Sequence, residues 1–316
     1  MPAKSSDALD WLENQWLARD LDAMRDWLDG LAGERADQGD ALLTQARLAR
    51  VAGDRDQASA LLEQAILNSD DDPLLRARLL FERAAWSLDL LDESGRFSSL
   101  RIARAVRDDF EQAHQLDPDY ARAQMGLMQF HLNAPAIAGG RDDRAELMKT
   151  LLAESAPDEL TVFEAERLVA DGDAVAAIPM LEALGDRAVL SDPHWVVVQS
   201  QLLLAQGRIE QSISLMEQAL QHFPLHAGLW FERGRVAAET GQNPARGLEA
   251  MLQYQALPHW PEDPAPDVTW WRIGQLQLAL GRREGAVEAW RYVLALNPSF
   301  EPAQQALSAL EPQDLD

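Results

Sequence analysis

Three glycines, Gly172, Gly207 and Gly241, recur at intervals of about 34 residues, each between two short helical patterns. That period is a strong constraint on the fold. One supersecondary unit has been copied along the chain. A pair of helices that short cannot bury its own apolar face, so copies must cover it on either side. Each glycine supplies the positive φ that ends a first helix and lets the chain reverse. Gly281 follows Gly241 at a longer interval, and the proline-rich segment Pro258–Pro266 accounts for the excess.

The clearest copy is Asp267–Phe300. Trp270, Ile273, Gly274 and Gln277 mark one face of its first helix, and Ala286, Trp290 and Val293 mark one face of its second. A large side chain on one helix needs a small one opposite it, and Gly274 and Ala286 are the small ones. Asn297-Pro298 ends the pair, because proline disfavours a helical residue before it. The same offsets recur as Gly53, Ala58, Leu62 and Ala65, as Gly172, Ala177, Leu181 and Leu184, and as Gly207, Ser212, Met216 and Ala219. Trp230, Gly234 and Gly241 hold the corresponding places in the copy that precedes the proline segment. Trp195-Val196-Val197-Val198 has a strand-like composition but sits inside a helical pattern and is assigned to a helix. Three connections depart from the short glycine turn: Asp92–Phe97, Asn133–Gly140 and Pro258–Pro266. The turn near Arg19-Asp20 lacks a glycine altogether.

These positions resemble the tetratricopeptide repeat, of bacterial type. The resemblance implies an all-α, right-handed solenoid of antiparallel helix pairs. Residues 1–37 are then a degenerate first repeat acting as an N-terminal cap. Residues 38–300 are about seven tandem repeats, and 301–316 are a capping helix with an acidic tail. The segment Gly139-Gly140-x-Asp-x-x-Ala resembles members that include periplasmic subunits associated with TRAP transporters. In this family the first helices line a concave groove, where a ligand binds. The resemblance therefore implies a non-catalytic scaffold or adaptor that holds a protein or peptide. The alternative it implies is a ligand-binding or assembly subunit of a periplasmic or envelope transport system.

Within that groove the resemblance points to Val197, Gln201, Phe231, Arg235, Trp271 and Gln275. Phe231 and Trp271 each follow a core aromatic by one residue, and Arg235 and Gln275 lie one helical turn further on. Val197 and Gln201 hold the same offsets one repeat earlier. Arginine there could take a carboxylate or a backbone carbonyl. The competing role for the two aromatics is packing against a neighbouring helix. A family subclass clamps peptide C-termini with a Lys and Asn set; this chain departs from that set, so binding of chaperone tails is not expected.

Composition excludes several other functions. The chain carries 28 Lys+Arg against 52 Asp+Glu, a net charge of −24, and only Lys4 and Lys149 are lysines. Such a surface repels phosphate backbones, so no nucleic-acid partner is expected, and basic partners are favoured in encounter. Cysteine is absent, which removes disulfides, thiolate metal sites and a Cys nucleophile. His222 and His226 are separated by Pro224 at a turn and make no metal pair. The Asp70-Asp71-Asp72 run is an acidic turn and helix cap rather than a cation site. No phosphate-binding loop, catalytic constellation, cofactor site or membrane span is visible, so an enzyme is not expected. The chain as written is expected to be soluble and cytoplasmic, or periplasmic if a signal peptide was removed. Self-association is expected through an uncapped end or through the loop that carries Trp260.

Overall fold

A computed structural model of the protein describes residues 5–31, 38–91, 96–189, 192–260 and 263–310. Among the described residues the chain is all-α, with 17 α-helices, one short 3-10 turn and no strand. It divides into two compact units, Met1–Arg167 and Leu168–Asp316.

The first unit runs through α1 (Ser5–Ala18), α2 (Leu21–Asp29), α3 (Gly39–Val51), α4 (Arg55–Leu67), α5 (Pro73–Leu88), α6 (Arg96–Leu116), α7 (Ala121–Asn133) and α8 (Asp142–Ser155). Helix α9 (Pro157–Ala170) carries the boundary. The second unit continues with α10 (Ala174–Val189), α11 (Pro193–Ala205), α12 (Ile209–His222), α13 (Ala227–Thr240), α14 (Pro244–Ala256), α15 (Pro266–Ala279), α16 (Arg283–Leu296) and α17 (Glu301–Leu310). Within each unit the helices pair α3 with α4, α5 with α6, α7 with α8, α11 with α12, α13 with α14 and α15 with α16. Each pair then packs on the next, which is the tandem stacking that the periodicity requires. The acidic tail expected over 311–316 lies outside the described residues.

Turn chemistry explains where the helices stop. Gly53, Gly172, Gly207, Gly241 and Gly281 all take positive φ, between 70° and 87°. At the turn without a glycine, Arg19 adopts φ 57° instead. An L-residue in that region costs about 1–2 kcal/mol, and the following Asp20 offsets part of it by accepting a hydrogen bond from Ala23 N at 2.9 Å. Aspartates repeat this service. Asp54 caps α4 through Gln57 N, Asp72 caps α5 through Leu75 N ahead of Pro73, and Asp192 caps α11 ahead of Pro193. Asp70, two residues before Asp72, pairs with Arg76 at 2.6 Å.

The interior of the α15–α16 pair follows the large-against-small rule. Trp290 is 2% exposed and lies beneath Gly274, where an added Cβ would overlap the indole. Its Nε1 donates to the Trp271 carbonyl at 3.2 Å, so the buried indole keeps its hydrogen bond. Ala286, Val293 and Ala303 complete this cluster, and Ala303 belongs to α17. Two tryptophans assigned to the core by their offsets are only half-buried. Trp230 donates to the Pro224 carbonyl at 2.8 Å beneath the Arg246 guanidinium, and Trp270 sits edge-on to Tyr292. In the α11–α12 pair the small partners are Ser200 and Ser212, joined by a buried hydroxyl hydrogen bond of 2.8 Å.

Trp290→Ala is expected to lower stability by about 3–5 kcal/mol, and Gly274→Ala by about 1–3 kcal/mol through overpacking. Because Gly274 and Trp290 share one contact, the double variant should cost less than the two separate losses together. Urea denaturation followed by circular dichroism measures all three; full additivity would show that the glycine is not there for the indole.

Candidate functional site

In the second unit the first helices of successive pairs touch one another, α11 against α13 and α13 against α15. They form the inner row of the unit, and the residues expected to bind a partner lie along it. Gln201 is exposed and Val197 is half-buried, both on α11. Phe231, expected to face a ligand, is instead 8% exposed. Its ring meets Tyr254 of α14 edge-on, with centroids 5.3 Å apart, so it fills its own pair. Trp271 is half-buried between Trp290 and Phe300, at centroid distances of 5.4 and 5.8 Å. Both aromatics take the packing role because the residue after the repeat-core position turns toward the second helix rather than away from it. Arg235 and Gln275 remain on the inner row, both half-buried.

Arg235 is not a free cation. Its Nε and NH2 grip both carboxylate oxygens of Glu232, at 2.7 and 2.6 Å, and its NH1 reaches Glu239. Those carboxylates, led by the hydrogen bond to Glu232, hold the guanidinium proton more tightly than usual against the opposing effect of burial. Glu232 is 4% exposed, and Ser200 Oγ donates to it at 3.4 Å. A buried carboxylate needs such a fork, because losing water without a partner costs several kcal/mol. The network continues to α15. Arg272 donates to Glu239 at 2.7 Å and to the Gln275 side-chain oxygen at 3.1 Å, and its Nε is buried with no hydrogen-bond partner among the described residues. The inner row is therefore a string of paired charges, Glu232–Arg235–Glu239–Arg272, ending on Gln275. Of these, only Arg235 and Gln275 were singled out from the sequence. The remaining signal was register: Glu239 is one turn from Arg235, and Arg272 is one repeat further on.

Behind this row Glu217 of α12 receives Arg233 at 2.8 Å and Arg246 at 3.0 Å. Arg233 is 1% exposed and its NH1 lacks a hydrogen-bond partner among the described residues. Burial pushes the Glu217 carboxyl up, but hydrogen bonds from Arg246 and Arg233 outweigh it and hold the group below its ordinary 4.5.

The first unit has an inner row of its own, which sequence reasoning missed. Arg47 on α3 is 2% exposed and donates to Glu82 of α5 at 3.0 Å and to Glu13 of α1 at 2.7 Å. Arg122 on α7 also reaches Glu13. Each guanidinium covers an aromatic ring, Arg47 over Trp16 and Arg122 over Phe81, both at 4.9 Å. Beside it, Arg83 forks onto Asp109 at 2.8 and 2.6 Å. With 52 acidic residues in the chain, composition alone gives no way to choose these partners.

The proline-rich connection before α15 is held from both ends. The Tyr254 hydroxyl donates to the Pro264 carbonyl at 2.7 Å, and the Tyr254 ring stacks on His259 at 4.4 Å. Pro261 and Glu262 lie outside the described residues, as does most of Asp92–Phe97. Among the described residues no group of three or more His, Asp or Glu is arranged to hold a metal ion, and no helix is long and apolar enough to cross a membrane.

Comparison with known proteins places this architecture. The tetratricopeptide-repeat profile matches residues 197–264. No curated protein matches the chain. Among solved structures, a chain of the Cut9–Hcn1 hetero-tetramer of the APC/C is similar over 90% of this chain and 58% of its own, at 19% identity and a TM-score of 0.52. PilF of Pseudomonas aeruginosa is similar over 74% of this chain and 99% of its own, at 11% identity and a TM-score of 0.50. PilW, a type IV pilus biogenesis factor, is similar over 71% of this chain and 98% of its own, at 16% identity and a TM-score of 0.47. At 19% and 11% identity, the likeness to the Cut9–Hcn1 chain and to PilF shows the fold alone.

The depressed Glu217 carboxyl has a testable sign. Its contribution to stability is complete above the unfolded-chain value of 4.5 and is lost as pH falls through the lower folded value. Glu217→Gln should therefore be less stable than the wild type at pH 7, and the gap should narrow between about pH 5 and pH 3. Thermal melts across that range read the gap; a constant difference would remove Glu217 from the acid response.

Proposed function

We propose that this chain, which the tetratricopeptide-repeat profile matches over residues 197–264, is a tetratricopeptide-repeat protein and a non-catalytic scaffold holding a partner protein or peptide along the inner row of its second unit. The supporting observation is the spacing of hydrogen-bonding groups on three adjacent first helices. Gln201 on α11, the Arg235–Glu239 pair on α13 and the Arg272–Gln275 pair on α15 recur once per helix. Packed helices lie roughly 9 Å apart, and an extended peptide rises about 3.3 Å per residue. About three peptide residues therefore span one helix-to-helix step, so a strand laid across the row meets a polar group at each step. Val197 adds an apolar contact and the exposed edge of Trp271 another.

The partner is basic. With a net charge of −24 the protein draws cationic chains toward it. Glu239 is shared between Arg235 and Arg272 and is the carboxylate most open to exchange one of those partners for an incoming lysine or arginine. The rest of the chain serves this surface. We assign residues 1–37 as an N-terminal cap, 38–300 as tandem repeats, and α17, seated on α16 through Ala303, as a C-terminal cap.

Affinity capture from the native lysate tests the assignment with three baits: wild type, an inner-row variant at the more exposed polar groups (Glu239→Ala/Gln275→Ala) and an outer-helix control (Glu288→Ala/Arg291→Ala), each checked for folding by circular dichroism. Partners retained by the wild type and the control should be depleted at least tenfold, about 1.4 kcal/mol, from the inner-row variant. Equal retention by all three baits would move the binding surface elsewhere. Capture of nothing by any bait would count against a scaffold.

A further inference from the structure

The first unit contains a feature that a regular repeat lacks. Helix α6 has 21 residues, whereas its neighbour α7 has 13. At about 1.5 Å per residue, the N-terminal turns of α6 overhang the pair. The connection from α7 to α8 folds beside this overhang through the 3-10 turn Ala136–Ala138, which packs on α6. Arg104 NH2 holds that turn by donating to the Ile137 carbonyl at 3.1 Å, and Arg107 lies against Gly139, whose φ is 106°. Between the overhang, the end of α5 and this connection lies a pocket of about 940 Å³.

Its wall is almost wholly apolar, with Leu91, Leu100, Ala103, Phe130 and Ile137 prominent, and Gln129 and Asn133 supply polar atoms. Ile137 is 69% exposed and Leu88 42% exposed at its edge. Large aliphatic side chains standing open beside a cavity of small-molecule size mark a binding site rather than a packing fault. The N-terminal half of α6 is unusual for this protein in its charge. From Arg96 to Arg107 the sequence has four arginines and no acid. Arg101 and Arg104 are exposed, and among the described residues neither forms an ion pair, unlike the arginines of the two inner rows.

We propose that this pocket binds the hydrocarbon chain of a single-tailed anionic amphiphile, with Arg104 meeting its head group. The volume and the apolar wall select the tail, and the Arg104 guanidinium, anchored at the Ile137 carbonyl and without a carboxylate partner among the described residues, selects the sign of the head. An alkyl carboxylate is the simplest molecule with both properties. This site lies in the first unit and is independent of the inner-row assignment in the second.

Isothermal titration of the full chain with octanoate, decanoate and dodecanoate, each below its micelle concentration, tests the proposal. Binding should be saturable at one site per chain and should tighten about fourfold per added methylene. Ile137→Asp changes an exposed position, so the fold is kept, and it should weaken dodecanoate at least tenfold. Ala103→Trp should do the same by filling the cavity, with far-UV circular dichroism as the check on folding. Arg104→Ala should weaken dodecanoate severalfold and leave dodecanol within twofold. Three results would overturn the proposal: no saturable dodecanoate binding, no dependence on chain length, or unchanged affinity in Ile137→Asp. A pocket that refuses every alkyl carboxylate is a seat for a partner's side chains instead. Equal loss of dodecanol and dodecanoate in Arg104→Ala would remove the head-group contact.

Discussion

Two helices of a pair can lie close only where a large side chain meets almost nothing on the other side. Trp290 beneath Gly274 and Met251 against Gly234 are two instances of that contact within a pair, and Phe110 against Gly126 makes the same contact between α6 and α7, where one pair meets the next. Everything else in the protein rests on it. Close approach sets the distance between helices, which sets the offset of one pair from the next, which brings successive first helices side by side. In the α11–α12 pair a polar contact takes its place: Ser200 and Ser212 meet through a hydroxyl hydrogen bond. The substitution keeps both residues small and leaves no buried donor without a partner.

The second constraint is electrostatic. A chain of net charge −24 has to fold against its own repulsion. Part of the acidic excess is used as helix caps, where Asp20, Asp54, Asp72 and Asp192 satisfy backbone N–H groups at helix starts. Another part is locked to arginine in the inner rows. Arginine suits this role because its planar fork meets both oxygens of a carboxylate, as Arg235 does with Glu232 and Arg83 with Asp109. Exposed pairs of this kind contribute little. The buried members, Arg47, Glu82, Glu232 and Arg233, are different, because each would be a costly orphan without its partner.

The fold was legible in the sequence because its determinants are local. Positive-φ glycines, proline stops and small residues at fixed offsets each act within one helix pair. Even the strand-like Trp195–Val198 resolved correctly as helix α11, since the surrounding period outweighed local propensity. The inner rows were less legible because their determinants are relational. Glu232 is an ordinary acidic residue until Arg235 and Ser200 enclose it, and Arg47 acquires its place from residues 34 and 35 positions away. Phe231 and Trp271 show the same limit. Their offset along the helix was read correctly, but the side to which each ring turns depends on Tyr254, Trp290 and Phe300, which belong to other helices.

The salt bridge between Glu13 and Arg122 joins residues 109 positions apart, from α1 to α7. An open array in which each repeat touches only its neighbours melts piecemeal from its ends and folds from any starting point. A contact that spans several repeats departs from that pattern. Glu13 of α1 reaches past its neighbour and takes Arg47 of α3 and Arg122 of α7 together. The Arg122 branch is exposed and contributes little by itself, but it closes a long loop, so it forms later than the contacts between neighbouring repeats.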